Sequence, residues 1–438
     1  MISEAQLLQK VTRHLIPFMF LLYIVSYLDR VNVSYAALQM NDALGFSSRI
    51  YALGAGIFFI GYFLFEVPSN LILHRVGAKL WMARILVTWG IISSAMMFVK
   101  GPTSFYILRF LLGIAEAGFF PGMILYLTYW FPTHARGRAV GRFMTATAVA
   151  SAIGSPLSGI LLKKMDGWYG LGGWQWLFLI EGLPAVILGI VTFVYLPNGP
   201  DNAKWLSRDE KKWIEDTLER DRRKAAAGGQ HSMNDAIRSG RVWTFALIYF
   251  AIIMSFYGVS FWLPQIVQAL SGLDELAVGM IASIPWIAAT IGMVLLSRNS
   301  DASQERRWHV ALSAIAGAIG LIGAGLTHNT VLELAALSLA AMGIWGTLGP
   351  FWALSSESLA GAGAAAGIAL INSIGNLGGF LGPYLVGWIR DRTGSFPLAL
   401  IALAMFPLLG AVITLSSRHA ASRLRASAVD QRPVKDRG

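Results

Sequence analysis

The composition of this 438-residue chain is that of a protein whose main solvent is hydrocarbon. Hydrophobic residues make up 55% of it and charged residues only 13%, whereas a soluble domain carries about 25% charged residues. The chain contains no cysteine, which excludes disulfides and thiolate metal sites. Its formal charge of +11 does not indicate nucleic acid as a partner, because the basic residues are concentrated in the loops between apolar segments.

Twelve segments of the chain are apolar over a length that crosses a bilayer as a helix, which takes roughly 20 residues. The sequence therefore predicts an all-α membrane protein with twelve transmembrane helices in two six-helix, pseudo-symmetric bundles. We predict the spans near 15–38, 51–72, 80–99, 103–131, 138–162, 174–196, 242–266, 276–297, 309–327, 331–354, 363–389 and 395–416.

The domain organisation follows from the one long gap between spans. Residues 1–196 are predicted to form the N-terminal bundle, 197–241 a linker, 242–418 the C-terminal bundle and 419–438 a basic tail. Within the linker, Ser207 is followed three residues later by Glu210. This capping-box spacing predicts that a short amphipathic helix begins there.

The loops also indicate the orientation in the membrane. An even number of spans places both termini on the same side. Without the long linker, that side holds 17 Lys and Arg residues and the opposite side holds 6. Because positive residues concentrate in cytoplasmic loops, both termini are predicted to be cytoplasmic.

The two halves of the chain share short patterns that indicate an internal duplication. Gly113–Pro121 in the fourth span resembles Gly343–Pro350 in the tenth, and Gly154-Ser-Pro156 in the fifth resembles Gly382-Pro383 in the eleventh. The positions correspond in a 6 + 6 arrangement. Many secondary transporters have this plan, with the substrate site between two halves that rock around it.

Six charged residues within the predicted spans are singled out, because a charge buried in the bilayer is costly and marks a functional candidate. Of these, Glu66 and Glu181 lie next to proline-containing motifs and are interpreted as structural. The six are Asp29, Arg30, Glu66, Arg109, Glu116 and Glu181.

Arg109 and Glu116 are seven residues apart, so they lie on one helix face about 10 Å from each other. Gly113 lies between them on that face, and we expect open space above it. A guanidinium, a gap and a carboxylate on one face suit an anion site beside a proton acceptor.

Asp29 and Arg30 are adjacent, so their side chains diverge by about 100°. Arg30 shares its face with Tyr23, Tyr27 and Ser34. Arginine binds carboxylates in a bidentate manner and stays protonated. A carboxylate in a low-dielectric site binds protons more readily than in water, so Asp29 and Glu116 are the candidates for proton coupling.

Other function classes find little support in the sequence. The seven histidines lack the spacing of a metal site, so no metal is predicted. We find no nucleophile–base pair and no phosphate-binding glycine loop, so neither an enzyme nor a cofactor is predicted.

Several motifs resemble the anion:cation symporter family of the major facilitator superfamily. They are Tyr27–Asn32, Gly61–Asn70, Arg109–Pro121 and Trp174–Pro184. The resemblance covers nearly the whole chain and is greatest to bacterial permeases for tartrate-like acids, with sugar-acid, phthalate and hydroxyphenylacetate permeases as relatives. It implies that Asp29 and Glu116 titrate during transport, that Arg30 and Arg109 govern the anion, and that the pocket is lined by Tyr27, Tyr62, Trp352 and Asn372.

The function expected from the residues and the resemblance together is uptake of a small organic anion with protons, by alternating access. The substrate class is a tartrate-like hydroxy- or dicarboxylate or a sugar acid. The alternatives are an aromatic carboxylate permease and an exporter or antiporter of amphipathic compounds. The expected location is a bacterial inner membrane, and the expected state is a monomer.

Overall fold

The described part of the chain folds almost entirely into helices, because long apolar segments in a membrane satisfy their backbone groups only within a helix or a closed barrel. The structure, a computed structural model, describes residues 3–133, 135, 146–227, 233–359 and 364–417. The predicted tail 419–438 and the beginning of the predicted fifth span lie outside the described residues. The helices that form the spans are Glu4–Leu44, Ser48–Val76, Ala78–Ala95, Pro102–Glu116 with Phe119–Thr128, Ala146–Lys164, Gly173–Tyr195, Gly240–Ser271, Glu275–Ser303, Arg307–Leu326, Thr330–Gly346 with Leu348–Ser358, Ala364–Asn376 with Gly378–Thr393, and Pro397–Ser416.

The prediction of an all-α protein with twelve spans is confirmed. Among the described residues, eleven segments are long and apolar enough to cross a membrane. The remaining span, the eleventh, consists of two shorter helices, which meet at Leu377. The first helix, with 41 residues, extends well beyond its predicted 15–38 core.

Three spans are broken rather than continuous. The fourth is interrupted at Ala117 and Gly118. Gly118 has a φ of 84°, a backbone conformation that residues other than glycine rarely adopt. The tenth is interrupted at Thr347. These two breaks fall at corresponding positions of the repeated Gly-to-Pro pattern, which supports the predicted duplication.

The packing of the spans repeats with an offset of six, as two pseudo-symmetric bundles require. In the first half, the third span packs on the sixth, the second on the fourth, and the first on the fifth and sixth. In the second half, the ninth packs on the twelfth, the eighth on the tenth, and the seventh on the eleventh and twelfth. The halves meet where the first span contacts the seventh, the second the eleventh, and the fifth the eighth.

Two glycines from the repeated patterns occupy equivalent places in this packing. A Cβ on Gly154 of the fifth span would lie 2.2 Å from the Leu28 side chain of the first. A Cβ on Gly382 of the eleventh span would lie 2.1 Å from the Met254 carbonyl oxygen of the seventh. Small residues allow membrane helices to approach this closely, and the match extends the duplication from sequence to contacts.

Polar contacts join the two halves at the end remote from the termini. Lys163 forms an ion pair with Asp274, and the Gln39 amide donates to Glu275 at 3.3 Å. The hydrogen bond from Lys163 holds the pKa of the Asp274 carboxyl below its usual value. The pair is therefore intact above the ordinary aspartate pKa of about 3.9 and is lost only as the pH falls through the lowered pKa. This ion pair therefore does not depend on pH near neutrality.

The fifth and eighth spans cross at Gly159 and Gly279, beside this ion pair. A Cβ on Gly279 would lie 2.5 Å from the Ser155 carbonyl oxygen. We expect Gly279→Phe to hold the halves apart at this end. Spin labels on cysteines at Lys164 and Leu273, in a chain that has no cysteine of its own, are expected to show a longer distance in the variant. In Gly240→Phe, where a Cβ meets nothing within 4 Å, the distance should not change; an unchanged distance in Gly279→Phe would contradict this closure.

The linker carries the predicted helix, which spans Arg208–Ala227. The capping box is formed: the Glu210 carboxylate accepts from the Ser207 backbone at 2.7 Å, and the Ser207 hydroxyl accepts from the Glu210 backbone at 3.3 Å. Lys10 of the first span binds Glu210 at 2.8 Å, and Asp221 accepts from the Thr133 backbone at 2.8 Å. Burial opposes ionisation of Glu210, but the bonds from Lys10 and Ser207 outweigh it and lower its pKa. The linker helix is thus attached to the first half.

Candidate functional site

A buried ion pair joins Arg30 of the first span to Glu116 of the fourth. Arg30 Nε donates to Glu116 Oε1 at 3.1 Å, and Arg30 Nη2 donates to the same oxygen. Ser26 Oγ donates to Oε1 at 3.1 Å. Arg30 is 7% exposed and Glu116 is 1% exposed. A buried pair of this kind is strongly coupled, since removing one partner leaves an uncompensated charge.

The second half contributes one hydrogen bond to this pair. Arg30 Nη1 donates to the Tyr257 hydroxyl of the seventh span at 3.0 Å. The guanidinium also lies 5.5 Å from the Phe58 ring centroid and 5.4 Å from that of Tyr62, at distances typical of cation–π contacts. Arg30 therefore faces the boundary between the halves, with its donors occupied by Glu116 and Tyr257.

Asp29 points away from Arg30, as the 100° divergence of adjacent residues leads one to expect. Its carboxylate accepts from Trp89 Nε1 at 2.6 Å and from Ser93 Oγ at 2.7 Å, both in the third span. Asn32 Nδ2 donates to it at 3.3 Å. The two proton-coupling candidates thus lie in separate networks: Glu116 binds Arg30, whereas Asp29 binds neutral groups of the third span.

The structure places Arg109 apart from this ion pair. Its Nε donates to the Gly54 carbonyl at 3.2 Å and its Nη2 to the Ala55 carbonyl at 3.1 Å. Its guanidinium lies 5.1 Å from the Phe58 ring, so one aromatic ring contacts both arginines. The prediction of open space above Gly113 is wrong. A Cβ on Gly113 would lie 2.0 Å from the Phe58 carbonyl oxygen. The second span fills that face of the fourth.

The other residues expected to line a pocket lie at the boundary between the halves. Tyr62 is beside Arg30, and Tyr27 packs edge-on against Phe256 of the seventh span at 6.5 Å. Trp352 is half-buried, with its ring 4.8 Å from the Tyr249 ring. Tyr27 and Tyr62 come from the first half and Trp352 from the second.

Asn372, the remaining expected pocket residue, binds a carboxylate of the other half. Its Nδ2 donates to Glu66 Oε1 at 2.8 Å, and the neighbouring Ser373 Oγ donates to Glu66 Oε2 at 3.1 Å. Glu66 is only 4% exposed. Its position beside Pro68 favoured a structural interpretation, and the sequence analysis missed its contact with the eleventh span.

Tyr257 and Ser26 were also missed. Tyr257 lies in a span without charged residues between 242 and 265. Charge within a span therefore gave no signal for its hydroxyl. Ser26 lies four residues before Arg30, one helical turn away on the same face. That spacing was the available signal for Ser26.

Glu181 belongs to the interior of the first half. Its Oε1 accepts from Ser158 Oγ at 2.8 Å, and it is 4% exposed. Glu181 and Ser158 both lie in spans of the first half, so this hydrogen bond does not join the two halves.

The two halves contribute different chemistry to the boundary. All six charged residues singled out within the spans belong to the first half. The second half supplies neutral partners to those charges: the Tyr257 hydroxyl accepts a hydrogen bond from Arg30, and Asn372 and Ser373 donate to Glu66. Every polar contact just described between the halves at this depth joins an ionisable group of the first half to a neutral group of the second.

The sequence and the fold were then compared with known proteins. The family model described as Major Facilitator Superfamily matches residues 19–383. A putative tartrate transporter of Agrobacterium vitis is 50% identical over 94% of each chain. A quinolone resistance transporter of Acinetobacter baumannii is 43% identical, again over 94% of each. A bacterial homologue of the human lysosomal transporter Spinster, solved in an inward-facing and occupied conformation, superposes with a TM-score of 0.74 at 16% identity, covering 93% of this chain and 97% of that one.

Proposed function

This chain belongs to the major facilitator superfamily and is a membrane transporter rather than an enzyme, and from that premise we propose that it takes up a small organic anion together with protons. The substrate class proposed is a tartrate-like hydroxy- or dicarboxylate or a sugar acid. The name of the Agrobacterium vitis relative supports this class. The location proposed is the inner membrane of a bacterium, with both termini cytoplasmic.

One observation carries this proposal: the buried pair of Arg30 and Glu116 at the boundary between the halves. Arginine is a fixed cation whose planar group matches a carboxylate. In the structure its donors are occupied by the carboxylate of Glu116 and by Tyr257. A substrate carboxylate therefore competes with Glu116 for the same guanidinium.

Competition for one cation couples the anion to a proton. When Glu116 is ionised it holds Arg30, and when it is protonated its hold weakens and Arg30 is free to bind the substrate. Two carboxylates that share a site cannot both stay ionised at low cost. Anion binding therefore favours protonation of Glu116, and protonation favours anion binding to the same extent.

The remaining residues are assigned supporting roles in this proposal. Asp29 is a second proton site, which acts through the third span because its partners are Trp89 and Ser93. Tyr27, Tyr62, Trp352 and Asn372 line the pocket. Arg109 positions the second span, since its donors are taken by backbone carbonyls of that span. The two bundles rock around this site in alternating access.

Uptake into proteoliposomes tests the proposal directly. Radiolabelled tartrate is expected to accumulate above its external concentration when the outside is acidic. A protonophore should abolish this accumulation. Uptake that is the same with and without a pH gradient would contradict proton coupling. Competition by galactonate, phthalate and hydroxyphenylacetate then separates the hydroxy-acid and sugar-acid classes from the aromatic carboxylates.

Export of amphipathic compounds is the second candidate, and the name of the Acinetobacter baumannii relative supports it. An aromatic pocket suits such cargo, but cargo without an anionic group has no use for an arginine. Efflux of ethidium, an amphipathic cation without an anionic group, should then survive Arg30→Ala, whereas anion uptake should not.

A further inference from the structure

Glu66 is a buried carboxylate whose hydrogen-bond donors lie in the opposite half of the protein. Asn372 Nδ2 is 2.8 Å from one oxygen and Ser373 Oγ is 3.1 Å from the other. The two donors are neutral and half-buried, whereas Glu66 is buried. A side-chain amide and a hydroxyl aimed at the two oxygens of one carboxylate form a carboxylate-binding site.

This site repeats the arrangement at Arg30. In both places, donors at the boundary between the halves are occupied by a carboxylate of the protein: Glu116 at Arg30, and Glu66 at Asn372 and Ser373. A protein that transports carboxylates, and whose anion donors are filled by its own carboxylates, must release these when the substrate binds.

The two donor sites are close together. The Arg30 guanidinium is 5.4 Å from the centre of the Tyr62 ring. Tyr62 precedes Glu66 by four residues in the same helix, so Glu66 lies about one turn, ~5.4 Å, further along that face. A short molecule with a carboxylate at each end can therefore reach both Arg30 and the donors Asn372 and Ser373. A monocarboxylate of similar size reaches only one of these two donor sites.

We propose that Asn372 and Ser373 form a second carboxylate subsite, which Glu66 occupies until the distal carboxylate of a dicarboxylate displaces it, and that Glu66 takes up a proton when this happens. The inference rests on the proposed function and adds the substrate class, a short dicarboxylate, and one proton for its second carboxylate.

The surroundings of Glu66 explain why displacement requires a proton. From its own span it faces Tyr62, from the first span Arg30 at longer range, and from the seventh span Tyr249. The nearest cation is thus engaged with Glu116 rather than with Glu66. A second carboxylate beside Glu66 places two negative charges in a site where no described side chain supplies a cation of its own, and one of them becomes protonated. The protonated carboxyl then acts as a hydrogen-bond donor to the substrate.

The number of protons transported with each substrate tests the inference. In proteoliposomes, the stoichiometry is measured from the membrane potential and pH gradient that just balance a set substrate gradient. The two probes are tartrate and glycerate, a shorter hydroxy acid with one carboxylate. The wild-type protein is expected to move one more proton with tartrate than with glycerate. Glu66→Gln should abolish this difference and still transport glycerate.

Two further variants make the result decisive. Ser373→Ala should raise the KM for tartrate about 10-fold and leave that for glycerate nearly unchanged, because a hydrogen bond to a charged group is lost for only one of them. Glu181→Gln is the matched control, because this glutamate is also buried and bonded to a serine but only within the first half. It should keep the difference of one proton.

The outcomes separate this inference from the function on which it rests. If neither probe responds to a pH gradient in the wild-type protein, the proposed function fails. If both respond but with equal numbers of protons, or if Glu66→Gln keeps the difference, the second subsite is overturned. Ser373→Ala affecting both probes equally would also overturn it.

Discussion

Replacing Glu116 with glutamine is expected to abolish accumulation of substrate against its gradient while leaving exchange of substrate across the membrane. Glutamine retains the shape of glutamate and can still accept a hydrogen bond from Arg30, so the site keeps its geometry. It neither ionises nor competes as an anion for the guanidinium. The substrate then binds Arg30 irrespective of pH, and the link between anion and proton is lost.

The measurement compares two modes in the same proteoliposomes. Net uptake of glycerate, the probe whose single carboxylate does not displace Glu66, should fall to the level of protein-free vesicles under a pH gradient. Counterflow of labelled against unlabelled glycerate should persist. Glu357→Gln is a suitable control, since Glu357 also binds an arginine, Arg306 at 3.2 Å, but is 55% exposed at the protein surface. Full gradient-driven uptake by Glu116→Gln would remove Glu116 from the mechanism.

Replacing Arg30 with alanine is expected to have the largest effect on substrate binding. The guanidinium provides the only positive charge among the described contacts of Glu116. Losing a buried cation leaves the Glu116 carboxylate unpaired, which costs about 3–5 kcal/mol. The variant should therefore melt at a lower temperature than the wild-type protein and show no stabilisation by tartrate, since a ligand stabilises only a state that binds it.

A double variant separates the two effects of this substitution. Adding Glu116→Gln to Arg30→Ala removes the unpaired charge, so the melting temperature should recover while tartrate still fails to stabilise the protein. Arg30→Lys should also bind weakly, because an ammonium group cannot reproduce the planar, forked contacts of arginine. Tartrate-induced stabilisation of Arg30→Ala equal to that of the wild-type protein would exclude Arg30 as the anion site and favour the exporter.

The fold was predictable because membrane spans are recorded in the sequence as runs of apolar residues. The twelve segments, the repeated glycine–proline patterns and the capping box at Ser207 all depend on residues that are close in the chain. The break at Leu377 was not predictable in this way. It lies in a stretch with glycines at 375, 378 and 379, and glycine in a membrane helix is compatible both with a flexible point and with close packing.

The charged residues of the site were predictable as candidates, although Glu66 was interpreted as structural. The neutral Ser26 and Tyr257 and the pairing of the charges were not predictable. The cost of charge in hydrocarbon selects Arg30, Glu116, Asp29 and Glu66 from sequence alone. Helical spacing then favoured Arg109 as the neighbour of Glu116, because it compares residues only within one helix. The structure pairs Glu116 with Arg30 instead, and contacts between different spans carry no periodic signal in the sequence. The same limitation concealed the bond between Glu66 and Asn372.

The unequal chemistry of the two halves has a consequence for how such proteins diversify. After a duplication, the two copies are free to diverge. In the contacts of Arg30 and Glu66 across the boundary, the ionisable side chain belongs to the first half and its neutral partner to the second. Under the proposed function, substitutions at Tyr257, Asn372 or Ser373 change the recognised cargo and leave the proton-coupling carboxylates of the first half in place.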